Sequence, residues 1–321
     1  MIQKSLFKPS WWMTNAHLQT IWQTFFRRQP EVSTQRERLL LPDGDFVDLD
    51  WAGYEEDAPI VLVLHGIAGS VESPYAKGML RAIVDHGWCG IFMHFRGCSG
   101  EPNKLPRGYH SGETTDLASV VSELQERYPG KPIAAIGFSM GGNVLLKWLG
   151  ETGAKNPLAA AVAVSVPFEL EKAANHINKG LFRLYQWWLL RDLREVLIKK
   201  FKKIKPPVGM GDLSKINSFW DLDNKITAPL HGFTDAHDYY HKASSRQFLK
   251  QIEVPTLILH SSDDPFMEKN AIAEASELSP KLTLELSDFG GHVGFVAGTP
   301  WKPTYWLEER IPQFLSEIFK K

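Results

Sequence analysis

Two rhythms of apolar residues alternate along this chain. Ile60-Val61-Leu62-Val63-Leu64 is an unbroken apolar run, as expected of a strand covered on both faces. It breaks at His65-Gly66, and a helical stretch over 75–86, a strand over 88–94 and a glycine-rich loop over 96–112 follow. Within 113–127 the apolar positions Leu117, Val120, Val121 and Leu124 recur with the spacing of an amphipathic helix. The unit then repeats as a strand over 133–137, a turn over 138–140, a helix over 142–149 and a buried strand over 159–166. Ahead of it, 38–51 reads as a hairpin at a sheet edge, two short strands joined by Pro42-Asp43-Gly44.

Strands and helices alternating at these lengths predict an α/β fold, a mostly parallel central sheet with helices on both faces. The alternation stops over 168–245, which holds no convincing strand but an aromatic, basic helical segment at 179–205. It resumes with a strand over 256–260, a helix near 271–278, a strand over 282–286 and a last helix near 305–319. The simplest organisation is one core built from 1–167 and 246–321, with a helical cap at 168–245 inserted into it.

Composition narrows the class. A chain of 321 residues with 43% hydrophobic and 23% charged residues is of ordinary globular make-up and long enough to bury a core without disulfides. Lys+Arg 36 against Asp+Glu 37 supplies no bulk field for a polyanion, so nucleic acid is not an expected partner. Two cysteines, Cys89 and Cys98, suit a reducing compartment. Met1 to Lys8 does not read as a signal peptide, and the longest apolar stretch, 157–168, is too short to span a membrane. A cytoplasmic protein without a transmembrane segment is expected.

Gly137-Phe138-Ser139-Met140-Gly141 matches G-x-S-x-G at the junction of a strand and a helix, the setting of a nucleophile elbow. A lone serine is a poor nucleophile and needs a base and a group to orient that base. Asp264 follows the strand at 256–260 and His292 the strand at 282–286, so both fall at the carboxyl edge of the sheet, where open α/β folds place their sites. Asp263 is the rival acid; Asp264 is favoured because the residue before Pro265 is held extended. The oxyanion of a tetrahedral intermediate needs two donors: the backbone N–H of Met140, after the nucleophile, and one from the loop at 65–69, for which Ile67 is chosen.

Longer stretches extend the signal: Asn15-Ala16-His17-Leu18-Gln19-Thr20, His94-Phe95-Arg96-Gly97-Cys98-Ser99-Gly100, Tyr109-His110-Ser111-Gly112-Glu113-Thr114-Thr115-Asp116 and Thr227-Ala228-Pro229-Leu230-His231-Gly232-Phe233. On these and the elbow, the chain resembles the α/β-hydrolase superfamily over nearly its whole length. Within that superfamily it resembles the YheT-like hydrolases, the branch that also holds plant embryogenesis-associated and animal abhydrolase-domain proteins. The resemblance implies the α/β-hydrolase fold and Ser139, Asp264 and His292 as the charge-relay triad, in agreement with the residue reading.

The expected activity is hydrolysis of a small-molecule carboxylic ester through an acyl-enzyme, with no cofactor and no metal. Apolar and aromatic residues of the insertion point to a short to medium acyl group. Thioester hydrolysis and acyl transfer use the same parts, and a non-catalytic binding protein on this scaffold would ordinarily have lost a triad member. His237, Asp238 and His241 have i, i+4 spacing but no third ligand in view, so a surface role is expected of them. Arg96 and His110 are expected to pin the loop near the site rather than bind substrate. The segment 179–205 carries nine Lys/Arg, two acidic residues and a stripe of Phe182, Tyr185, Leu189, Leu193, Val196 and Leu197. It is read as a lid over the site, with peripheral contact to an anionic membrane as the alternative. Nothing in the pattern bears on oligomeric state.

Overall fold

The computed structural model describes residues 1–207, 209 and 211–320. Its main strands are β1 (Ile2–Lys4), β2 (Gln35–Leu40), β3 (Phe46–Ala52), β4 (Ile60–Leu64), β5 (Cys89–His94), β6 (Ile133–Phe138), β7 (Ala160–Val164), β8 (Thr256–Ser261) and β9 (Leu282–Ser287). They form one nine-stranded sheet in the order β1-β9-β8-β7-β6-β4-β5-β3-β2. β2 and β3 pair antiparallel at one edge, as the hairpin reading expects, and every pairing from β5 through β4 to β1 is parallel.

Alternation along the strands decides which residues serve which layer. Val61 and Val63 of β4 join Ala134 and Ile136 of β6 under Met79, Leu80 and Ile83 of α2 (Ala76–Asp85) and Ile311 and Leu315 of α10 (Leu307–Phe319). Leu62 and Leu64 join Ala135 on the opposite face under Leu117, Val120 and Leu124 of α3 (Thr115–Arg127) and Leu145 and Leu149 of α4 (Met140–Thr152). With both faces covered, these strands read as continuous apolar runs rather than alternating ones.

The chain passes from β4 outward to β5, then returns to place β6 on the other side of β4. Leu64 therefore lies in register with Gly137, and the loops leaving β4 and β6 emerge side by side. Such a switch in strand order opens a crevice at the carboxyl edge.

Between β7 and β8 the chain is helical: α5 (Leu170–Ile177), α6 (Arg183–Phe201), α7 (Phe219–Leu222), a π turn (Asp223–Thr227), α8 (Ala228–His231) and α9 (Ala236–Ala243). These helices bury a cluster of their own that includes Leu170, Ile177, Leu190, Phe219, Ile226 and Tyr239. Tyr185, Leu189, Leu193 and Leu197 of the α6 stripe pack against it. Asn143 of α4 ties the segment to the sheet layer: its amide nitrogen donates to the carbonyls of Ser111 (2.7 Å) and Ala243 (2.8 Å), and its oxygen accepts from the Ser245 N–H (2.9 Å).

Several features depart from the pattern reading, beginning with β1, which it did not place. The helix expected near 271–278 is instead two single 3-10 turns, Lys269–Ala271 and Ala275–Glu277, with extended backbone at Ile272 and Glu274. Glu274 and Glu277 cap one another and start a fresh turn, and Arg246 holds the Glu277 carboxylate at 2.8 Å, so no continuous helix forms. A hairpin of β10 (Val296–Thr299) and β11 (Lys302–Tyr305) precedes α10, which begins at Leu307 rather than near 305. A helix at the start, α1 (Ala16–Phe26), also went unread; Asn15 caps it, accepting from the Leu18 N–H at 3.0 Å.

Candidate active site

Ser139 is the link between β6 and α4, with φ +52° and ψ −119°. A non-glycine residue in that region costs of order 1–3 kcal/mol, and the packing around it must hold the strain. The flanking glycines make the turn possible: a Cβ at Gly141 would lie 2.5 Å from the His65 carbonyl oxygen, and one at Gly137 would lie 2.5 Å from that of Gly141. Ser139 occupies the N-cap position of α4 without using its side chain as a cap. Its hydroxyl faces His292 instead, with Oγ 2.9 Å from Nε2.

The His292 Nδ1 lies 2.8 Å from Oδ2 of Asp264. An ionised carboxylate only accepts, so Nδ1 carries the proton and Nε2 is left to accept from the serine hydroxyl. Asp264 is held in turn by the Phe266 N–H, which donates to Oδ1 at 2.9 Å. Asp263 is placed differently, since its Oδ1 accepts from the Gly291 N–H at 2.9 Å and braces the loop from below. Burial raises the Asp263 carboxyl above its ordinary value, although that N–H bond opposes the rise.

The β4–α2 loop abuts the elbow: a Cβ at Gly66 would stand 3.3 Å from the Ser139 Cβ. Two tyrosine hydroxyls hold this loop, Tyr75 accepting from the Gly66 N–H at 3.0 Å and Tyr109 from the Ala68 N–H at 2.8 Å. Among the described residues no acceptor takes the N–H of Ile67, between them, or of Met140, at the start of α4. The five non-glycine residues with positive φ among the described residues, Ala68, Ser139, Ser165, Val293 and Phe295, all belong to loops around this edge.

Pattern reading missed the part played by α1. Thr20 Oγ1 accepts from the His292 N–H at 2.9 Å. The Gln19 side chain donates to the carbonyls of Met13 and Val296 and accepts from the Val296 N–H, while Gln23 donates to the carbonyls of Val293 and Gly294 at 3.0 Å. These bonds grip the strained loop that carries the imidazole. A signal for the helix was present in Asn15 followed by Leu18, Ile21, Trp22 and Phe25 at helical spacing.

A cavity of about 360 Å³ opens on Ser139 and His292. Its walls come from the β4–α2 loop, from α1 (Ile21, Thr24) and from the helices between β7 and β8, among them Ile177, Trp188 and Leu189. The wall is largely apolar, with one buried carboxyl. Asp223 accepts from the Tyr240 hydroxyl and the Thr227 hydroxyl, each at 2.7 Å, and burial pushes its pKa up to about 6.

Arg96 and His110 stay outside this cavity. Arg96 is buried in a bidentate pair with Asp116, both bonds 2.7 Å, and reaches Asp43 at 2.8 Å. His110 accepts from the Gly112 N–H at 3.1 Å, and burial drives its pKa down to about 4. His237 lies 3.3 Å from Glu171, and Asp238 pairs with Lys242. Among the described residues no three His, Cys, Asp or Glu side chains gather as a metal ion requires.

A strand order that reverses beside a serine turn, with an acid after β8 and an imidazole after β9 meeting it, defines an α/β hydrolase. Residues 59–299 match the α/β hydrolase fold family, and the chain belongs to it. Within that family it is a YheT-like hydrolase. It is 44% identical to the esterase-type protein YheT of Escherichia coli (strain K12), over 97% of this chain and 93% of that one. It is 30% identical to phospholipase ABHD3 of Mus musculus, over 97% of this chain and 78% of the relative. Among solved structures an esterase of Pyrococcus furiosus shares the fold, with a TM-score of 0.60 at 18% identity, covering 90% of this chain and 92% of that one. The chain is thus a hydrolase of the esterase and lipase class.

Proposed function

We propose that this hydrolase cleaves carboxylic esters of short to medium acyl length through an acyl-enzyme on Ser139. The observation that carries the reading is the unbroken line from Asp264 through His292 to Ser139, at 2.8 and 2.9 Å, opening on an apolar cavity. Ser139 Oγ attacks the acyl carbon as its proton passes to His292 Nε2, and Asp264 fixes the ring and stabilises the imidazolium. The N–H groups of Ile67 and Met140 take the oxyanion; losing one such donor costs about 3 kcal/mol of barrier. His292 then protonates the leaving alcohol, and water activated by the same imidazole releases the acid.

In this reading 168–245 is a cap whose underside shapes the acyl pocket. A cavity of about 360 Å³ with a mostly apolar wall suits a short to medium acyl chain. A fluorophosphonate probe tests the chemistry and a graded p-nitrophenyl ester panel tests the pocket. Labelling of the purified protein that disappears in Ser139→Ala, with kcat/KM peaking at a medium chain, is the expected result. No labelling, or labelling unchanged in Ser139→Ala, defeats the proposal.

A further inference from the structure

The helices α1 and α6 flank the half-exposed end of the cavity, where Ile21 and Thr24 face Trp188 and Asp192. Phe25 meets Trp188 at 5.6 Å between ring centroids, and the Tyr185 hydroxyl lies 3.0 Å from His17 Nδ1, so the two helices form one continuous rim. The outer side of that rim is apolar. Phe25 is 59% exposed, Phe26 61%, Leu181 87%, Leu184 70% and Trp187 56%. None of these five lines the cavity. A chain exposes scattered single apolar residues as a matter of course, whereas five large exposed ones on two adjoining elements beside a site entrance mark a surface that meets something.

Charge identifies what it meets. Behind the patch, the 179–205 segment holds nine Lys/Arg against Asp192 and Glu195, in a chain whose overall net charge is −1. Lys179 is spent on Glu268 and Arg191 on Asp192, and Lys200 is buried on the Arg107 carbonyl. Among the described residues Arg28, Arg183, Lys199, Lys202, Lys203 and Lys205 are exposed and make no ion pair. Apolar side chains exposed at the end of α1, next to Arg28, and at the start of α6, with unpaired cations at the far end of α6 about 20 Å along the same helix, form an arrangement that can lie along an anionic lipid–water interface. Among the described residues no helix is long and apolar enough to cross a bilayer, so the contact lies on the surface.

We infer that the α1–α6 rim docks on an anionic lipid bilayer, with the cavity mouth turned toward the membrane so that ester substrates enter from the lipid phase. The docking stands on the surface itself; only the direction of substrate entry rests on the hydrolase reading above. Leu181, Leu184 and Trp187 insert, and Arg183, Lys199, Lys202 and Lys203 hold the headgroups. Each cation near such a surface strengthens partitioning by about fivefold at low salt.

The test is co-sedimentation of the full chain with vesicles, carried out in the Ser139→Ala background so that hydrolysis does not alter the lipid. Vesicles of equal parts phosphatidylglycerol and phosphatidylcholine should retain the protein at least tenfold better than phosphatidylcholine alone, and 0.5 M salt should release it. Leu184→Ser with Trp187→Ser should weaken retention about tenfold or more, and Lys199→Gln with Lys202→Gln and Lys203→Gln about a hundredfold. In the Ser139-containing chain, neither set should change turnover of dissolved p-nitrophenyl butyrate. That separates this proposal from the hydrolase reading, which fails on the dissolved ester, whereas docking fails on the vesicle alone. Absence of retention on anionic vesicles overturns the inference, as does retention unmoved by both variant sets. A concentration-dependent dimer abolished by the Leu184 and Trp187 substitutions overturns it too, by assigning the face to a second copy.

Discussion

From β4 to β8 the strand residues are buried on both faces, and each loop at their carboxyl edge is fixed by hydrogen bonds to a neighbouring element. The helices between β7 and β8 bury one side in a cluster of their own and leave Leu181, Leu184 and Trp187 in water. The first region tolerates strained backbone at Ala68, Ser139 and Ser165, because rigid surroundings hold each in place. The second has one long helix, α6, among short ones, a π turn and a buried carboxyl in its wall. Chemistry needs atoms held to a fraction of an ångström, and selection of substrate needs only shape and polarity. On the proposed mechanism, the two demands fall on different parts of the chain.

On the proposed mechanism, the division breaks most sharply at Ser139, Asp264 and His292. Ser139→Ala should lower kcat by about 10⁴-fold or more with the melting temperature nearly unchanged, and Asp264→Asn should lower it by about 10⁴-fold. Asp263→Asn, at a carboxyl that takes the Gly291 N–H rather than the imidazole, should cost about tenfold or less. Equal losses in the two aspartate variants would show that the acid had been assigned by geometry too fine for the chemistry.

The joint between the regions comes next. Asn143→Ala strands the Ser111 and Ala243 carbonyls and the Ser245 N–H, and should cost about 3 kcal/mol in urea unfolding. If its midpoint matches that of the unsubstituted chain, the two regions are not coupled through this residue.

Asp223 gives the second region its own pH dependence. Its carboxyl stays neutral in the fold up to about pH 6 but ionises near 3.8 when unfolded. The native state therefore binds the extra proton between those values, and stability falls as pH rises through that window. The loss is on the order of 2–3 kcal/mol. Asp223→Asn should flatten it in denaturation curves taken at pH 4 and pH 6.5; an equal slope in both chains would exclude the carboxyl as its source.

The smallest effect expected is on the grip of α1. Gln23→Leu removes the donors to the Val293 and Gly294 carbonyls and loosens the imidazole loop, which should lower kcat about tenfold while KM stays within twofold. A change in KM alone would move Gln23 from positioning the base to shaping the pocket.

Periodicity made much of the sheet legible, because a strand covered on both faces must be apolar throughout and its flanking helices must carry a stripe. The elbow was legible because its glycines answer a steric demand that is local in sequence. The expected helix at 271–278 failed for an equally physical reason, since Arg246 and the reciprocal capping of Glu274 and Glu277 outweigh the run of apolar positions. α1 carried a readable stripe, but Gln19 and Gln23 count as polar, and nothing nearby reveals that their amides are buried on Val293, Gly294 and Val296.

By itself the sequence determined the central strands and most of the helices that cover them, that these strands run parallel, and that Ser139, Asp264 and His292 leave them at the same edge, because these follow from the period and order of side chains along one polymer. Only the tertiary structure decided that Asp264 and not Asp263 reaches the imidazole, that α1 holds the loop beneath it, and that α6 turns one apolar face inward and another toward solvent. Each of those rests on contacts between groups far apart along the chain, and packing, not local preference, selects among the arrangements that the pattern allows.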